Sequence, residues 1–187
     1  MKPVDSARHT LRLEVAALKR VAERIDESFD VAANIIRNSD CVITTGVGKS
    51  GIVAQKIAAT FRSLGAPSTF IHPTEALHGD YGILRKAGQA LIVVSKSGET
   101  REVIEAIENL PCGHYVPIIA LVGEPESTIG KRAGVAIDCS VQYEEGGPPT
   151  ASATAAMAMG DALAVAVGDL KGFKVEDYKR LHPGGER

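Results

Sequence analysis

Three hydroxyl side chains fall within the six residues Ser95-Lys96-Ser97-Gly98-Glu99-Thr100, directly after the apolar run ALIVV. Hydroxyls beside the free N–H groups of a starting helix form a cradle for a phosphate. One hydroxyl, that of Ser97, would be enough to cap the helix; three clustered with a glycine exceed what capping requires. A second turn of this kind is Gly46-Val47-Gly48-Lys49-Ser50-Gly51. Glycines there let the backbone approach a ligand, and the helix start favours an anion. It lacks the first glycine of a Walker A loop. Phe70 and Ile71 stand where a dinucleotide fingerprint would need an acidic residue. Taken alone, it is equally a plain strand-to-helix turn.

Three further stretches carry titratable groups. His72-Pro73-Thr74-Glu75-Ala76-Leu77-His78-Gly79-Asp80 holds two histidines and two carboxylates, but in no common zinc spacing. A substrate-facing loop is expected there. Glu144-Glu145 precede Gly146-Gly147-Pro148-Pro149-Thr150, whose prolines and glycines require a loop. Two carboxylates alone read as an exposed acidic turn ahead of a site. The tail Leu181-His182-Pro183-Gly184-Gly185 reads as an exposed turn.

Between these stretches the apolar spacing defines the elements that must position them. Residues 5–37 read as one long helix. Leu11, Val15, Leu18, Ala22, Ile25, Phe29, Ala32 and Ile36 step alternately by four and three, a heptad seam suited to a helical partner on another subunit. Strands are expected at 41–47, 67–72, 90–95, 116–123 and 135–139, and helices at 50–64, 99–110, 126–132 and 150–171. Strands apolar on both faces and alternating with helices mean a parallel sheet covered on both sides. The fold class is α/β: a three-layer, doubly wound sandwich with a mainly parallel sheet of about five strands, binding ligands at the strands' carboxyl ends. Every unusual polar stretch falls at such an end.

The chain has 187 residues, the size of one domain, and residues 1–187 are read as such. With 4% aromatics and no Trp, its core must come from Ala, Val, Ile and Leu. A formal charge of −2 argues against nucleic acid as main partner. Cys41, Cys112 and Cys139 form no C-x-x-C pair, and an odd count closes no disulfide framework. The first residues, MKPVDSARHTLRLE, lack a signal peptide's apolar stretch, and no run of about 18 apolar residues marks a membrane span. A cytoplasmic protein is expected, with no membrane partner.

In order along the chain, GVGKSG (46–51), HPTEALHGDYG (72–82), SKSGET (95–100), GEPESTIGKRA (123–133), PTASATAAMAMGDALAVAV (149–167) and HPGG (182–185) resemble the SIS (sugar isomerase) domain family, specifically its D-arabinose 5-phosphate isomerases. The HPxExxHGDxG block and the terminal HPGG discriminate; the serine/glycine loop is common to all SIS domains. The resemblance implies an SIS fold, an aldose–ketose isomerase without cofactor or catalytic metal, a sugar-phosphate substrate and a homotetramer, with residues 1–38 at its interface. It also implies a role in supplying an outer-membrane sugar acid of lipopolysaccharide. The matching active-site positions are Lys49, His78, Glu102, Glu144 and His182, with Gly48, Ser50, Ser95, Ser97 and Thr100 at the phosphate. The 144–150 loop is about three residues shorter than the family's pattern, which leaves Glu144 and Glu145 as alternatives. Many relatives carry CBS modules after HPGG. This sequence ends at Arg187, so a catalytic domain alone is expected.

Such residues would move a proton between C1 and C2 through an enediol. Lys49 would steady oxyanion charge. A carboxylate at 144 would shuttle the proton if burial raised its pKa towards neutrality. His182 would open the furanose ring or relay the O1/O2 proton. His78 and His182 would capture an inhibitory zinc if they approached each other. The alternatives are a 6-phospho-3-hexuloisomerase, which is not expected to carry the HPxExxHGD block or HPGG, and a sugar-phosphate sensor, which would need only the hydroxyl cradle.

Overall fold

A computed structural model describes residues 2–85, 87–111, 116–144 and 146–184; Cys112, Glu145 and Gly185 lie outside them. The chain opens with two helices, α1 (Pro3–Glu23) and α2 (Glu27–Arg37), where the heptad pattern predicts one over 5–37. Asp26 causes the break. It is extended, and its carboxylate caps α2 by accepting from the Ser28 N–H at 2.9 Å. Arg24 holds the junction to the sheet: its Nε lies 2.8 Å from the Asp138 carboxylate, and its guanidinium donates to the Ser140 carbonyl at 2.7 Å.

The rest alternates strand and helix: β1 (Cys41–Thr45), α3 (Lys49–Ser63), β2 (Ser68–Phe70), α4 (Pro73–Leu77), a 3-10 turn (Asp80–Ile83), β3 (Gln89–Ser95), α5 (Arg101–Glu108), β4 (Ile118–Val122), α6 (Thr128–Arg132), β5 (Val135–Asp138), α7 (Ala151–Leu170) and α8 (Val175–Leu181). The substrate-facing loop expected at 72–80 is therefore partly helical. Pro73 supplies a preset first helical position, and the His72 ring accepts from the Thr74 N–H at 3.3 Å.

All five strands pair in parallel, in the order β2-β1-β3-β4-β5. The central β3 is buried at every position, consistent with its continuously apolar interior, Ala90–Val94, between Gln89 and Ser95. Alternate residues feed two separate cores. Ile92, Val94 and Leu121 pack with Ile36 of α2, Phe61 of α3 and Leu163 of α7. Ile43, Val93 and Val122 pack with Ala76 of α4, Val103 of α5 and Ile129 of α6. The three-layer sandwich expected from the sequence is what forms.

α7 has the length and apolarity of a membrane span, but its sides pack on α1, α2 and α3, and it serves as the core helix. Against α3 the two backbones come close, because Gly160 presents no side chain to Ile57. Asp161, one residue on, pairs with Lys56 and accepts from Thr60 Oγ1 at 3.0 Å. The heptad seam divides. Ala32 and Ile36 are buried, whereas Leu11 is 62% and Val15 52% exposed. Only Ala17 and Val21 of α1 are buried within the subunit.

A Cβ at residue 160 would fall inside the van der Waals envelope of the Ile57 side chain. Gly160→Val is expected to destabilise the fold by about 1–3 kcal/mol through overpacking. Adding Ile57→Ala should recover part of that loss. Urea unfolding of the two single variants and the double variant measures the coupling.

Candidate functional site

Because the strands are parallel, their carboxyl ends lie on one edge. After β1 the chain crosses to the α3/α7 face, and after β3 to the α5/α6 face. Neighbouring strands whose connections depart on opposite sides leave a crevice between them, where sheets of this order bind ligands. A cleft opens at that edge. Lys49, Ser50, Ser95, Lys96, Gly123, Glu124, Pro149 and Ser152 form its polar rim, with Val94, Leu121 and the buried Cys139 among its apolar lining. Burial pushes the Cys139 thiol up to about 12, so it lines the wall as a neutral group.

The glycine loop needs its glycine at 48, where φ is +59° and the backbone turns into α3. Lys49 and Ser50 then begin the helix at the cleft. In the serine turn, the buried Ser95 Oγ accepts from the Gly98 N–H at 3.0 Å and lies 3.0 Å from the Thr100 hydroxyl. Ser97 accepts from the Glu99 N–H at 3.2 Å, so it stabilises the turn rather than capping the helix. α5 starts at Thr100 with no side-chain cap. Gly98, at φ +65°, lies against Ser127, and Glu99 accepts from the Thr128 N–H at 2.7 Å. The turn is thereby braced by the start of α6.

Glu144 behaves opposite to the expectation that burial would raise its pKa. Desolvation does push the carboxyl up, but hydrogen bonds from Ser152 and Thr150, and then Lys96, outweigh it and hold the group at about 2. Oε2 accepts from the Thr150 N–H and the Ala151 N–H, each at 2.9 Å, and from the Thr150 hydroxyl at 3.2 Å. Oε1 accepts from the Ser152 N–H at 3.2 Å and from the Ser152 hydroxyl. These are donors at the start of α7, whose N-terminal dipole also favours the ionised form. Glu144 is thus the anchor of α7 at the cleft wall. A carboxylate this acidic is a weak proton acceptor near neutrality.

The other expected residues spread out. Glu102 is exposed in the first turn of α5, and His78 is exposed at the end of α4; neither lines the cleft. His182 follows α8. Its ring stacks on Tyr178 with centroids 3.9 Å apart, and Nε2 lies 3.3 Å from the hydroxyl of Ser63. Ser63 is the last residue of α3 and Lys49 the first, so some 20 Å of helix separates this imidazole from the cleft of its own subunit. His78 and His182 lie at opposite ends of the sheet. Among the described residues, no group of three or more His, Cys, Asp or Glu side chains converges to hold a metal. Sequence reasoning missed Lys96, whose Nζ is 3.1 Å from Glu144 Oε1, and Ser152. Ser152 lies in an Ala-rich helix start that offered no signal; Lys96 stood within the SKSGET motif.

Comparison with known proteins bears on the family and the fold. The sequence pattern of the SIS domain family matches residues 35–166. Arabinose 5-phosphate isomerase GutQ of Salmonella typhi is 41% identical over 186 residues, and arabinose 5-phosphate isomerase KdsD of Francisella tularensis 39% over 190. Each alignment covers 97% of this chain but 57% of the relative, so the chain spans little more than half the length of these curated relatives. An Escherichia coli protein solved in complex with arabinose 5-phosphate superposes with a TM-score of 0.89 at 32% identity, covering 98% of this chain and 100% of that one.

The Glu144 pKa lies below the ordinary 4.5, so the stability it contributes is complete above that value and drains as pH falls towards 2. Glu144→Gln is expected to lose on the order of 3 kcal/mol at pH 7. The gap from the parent protein should narrow steadily between pH 4.5 and 2. Denaturant melts across that range check it; a gap independent of pH would contradict the assignment.

Proposed function

The chain belongs to the SIS domain family, and we propose that it is an aldose–ketose isomerase interconverting D-arabinose 5-phosphate and D-ribulose 5-phosphate in the cytoplasm. The observation that supports this reading is the cleft at the carboxyl edge, which is lined by Lys49, Ser50, Ser95 and Lys96, with the rest of the hydroxyl turn following directly on Ser95 and Lys96. The hydroxyl turn and the start of α5 hold the phosphate, converting binding energy into orientation of the sugar. Lys49 stabilises charge developing on the C1 and C2 oxygens of the enediol. Glu144, locked in its ionised form, fixes the wall and the start of α7.

Proton transfer then needs a group that titrates nearer neutrality, and His182 has the right chemistry. Its distance from the cleft of its own chain leads to an assignment across subunits: the partner subunit's His182 completes the site. The exposed Leu11 and Val15 on α1 supply an apolar face for the assembly this requires, which we take to be a homotetramer. His78 and Glu102 are assigned to the outer margin of the same site.

A second reading, a sugar-phosphate-binding domain without turnover, is favoured by one feature: the acidity of Glu144, which makes it a weak carbon base. Incubation with ribulose 5-phosphate, followed by NMR, separates the two. New arabinose 5-phosphate, with solvent deuterium entering the sugar, is expected; tight binding without exchange would favour the second reading.

Lys49→Ala should lower kcat/KM by about 10²–10³-fold. Lys49→Ala and His182→Ala, each inactive alone, should regain activity when unfolded and refolded together, because some sites in the mixed assembly hold both native side chains. A mixture as inactive as its parents would refute the shared site while leaving the isomerase reading intact.

A further inference from the structure

The cleft contains a second ammonium group, and its surroundings set it apart from a structural ion pair. Lys96 follows the last residue of β3 and lines the cleft beside Lys49, Ser50 and Ser95. Its backbone is pinned, since the Gly123 N–H donates to the Lys96 carbonyl at 3.0 Å. Its four-carbon side chain reaches across the mouth to place Nζ 3.1 Å from Glu144 Oε1.

Glu144 has little need of it. A carboxylate offers about four lone-pair positions. Thr150, Ala151 and Ser152 already direct three N–H groups and two hydroxyls at it. Lys96 is one donor more, and the only charged one among them. The two partners are also unequally placed: the Glu144 side chain is 9% exposed and that of Lys96 46%. An ion pair whose cation faces solvent is weak and readily exchanged. The ammonium also has three N–H donors, of which Glu144 engages one. With Lys49 it gives the cleft two ammonium groups, beside the carboxylates of Glu124 at the rim and Glu144 in the wall.

We propose that Lys96 is an anion-binding residue of the sugar-phosphate site, held at the mouth of the cleft by Glu144 and donated to the ligand when its negative charge enters. This deepens the isomerase reading and rests on the cleft being a sugar-phosphate site. Lysine suits the task, because a flexible point charge can leave one oxyanion for another without the fixed geometry that a guanidinium demands.

The test compares the parent protein with Lys96→Met and Lys96→Arg, using ribulose 5-phosphate as substrate and inorganic phosphate as a probe that needs no turnover. Lys96→Met should raise KM about tenfold or more, the loss of one charge-assisted hydrogen bond, with kcat changed less than about twofold. Phosphate should weaken in parallel, and binding should lose part of its salt dependence. Lys96→Arg should recover most of the affinity. The thermal midpoint of Lys96→Met should fall far less than that of Glu144→Gln, since Glu144 keeps its five helix donors and loses only the partly exposed ammonium. Unchanged KM and phosphate affinity would overturn the proposal, whatever the midpoint. A parent protein without turnover, whose phosphate affinity still falls in Lys96→Met, would sink the isomerase reading and keep this one. A parent protein that binds neither ligand would overturn both.

Discussion

Parallel pairing is the constraint on which the rest of the molecule depends. It sends all five strands to the same edge, so every strand exit becomes a potential wall of one site. It also requires a crossover after each strand, and the crossovers from β1 and β3 leave on opposite faces. A gap between those exits follows from connectivity alone. What fills the gap is then a matter of turn chemistry. A glycine at positive φ admits Lys49 and Ser50 to one side, and a turn braced by Ser127 and Glu99 holds hydroxyls on the other.

Electrostatics inside the cleft follow from the helix that closes it. α7 is nearly all apolar, and its first N–H groups would be left without acceptors at a dry wall. Glu144 supplies the acceptor and is ionised in consequence, well below its ordinary range. With five donors from the start of α7 already on it, Glu144 leaves the neighbouring lysine a lesser part in its support. One carboxylate therefore serves three ends: it starts a helix, shapes the wall and holds a movable cation close at hand.

Much of this was legible in the sequence. Continuous apolar runs announced β3 and β4, and glycine- and serine-rich junctions marked where ligand chemistry could lie. Elements set by long-range contacts were hidden. The heptad steps of residues 11–36 continue through Asp26, and only its cap on Ser28 and the reach of Arg24 to Asp138 and Ser140 reveal a break. The pKa of Glu144 was misjudged because burial is readable from neighbours in sequence, whereas the donors at Thr150, Ala151 and Ser152 reach it only once α7 has folded back. His182 was assigned to the cleft by motif; its seat beside Ser63 depends on the path of α8, which the sequence pattern did not disclose.

The fastening of Arg24 has its own consequence. Its guanidinium joins the bend between the first two helices to the chain segment that leaves β5 and runs on to Glu144. α1 buries Ala17 and Val21 and is otherwise held by its packing along α7. The start of α7 in turn is held by Glu144, so the outermost helices and the wall of the cleft are joined by two routes, one through the Arg24 guanidinium and one along α7.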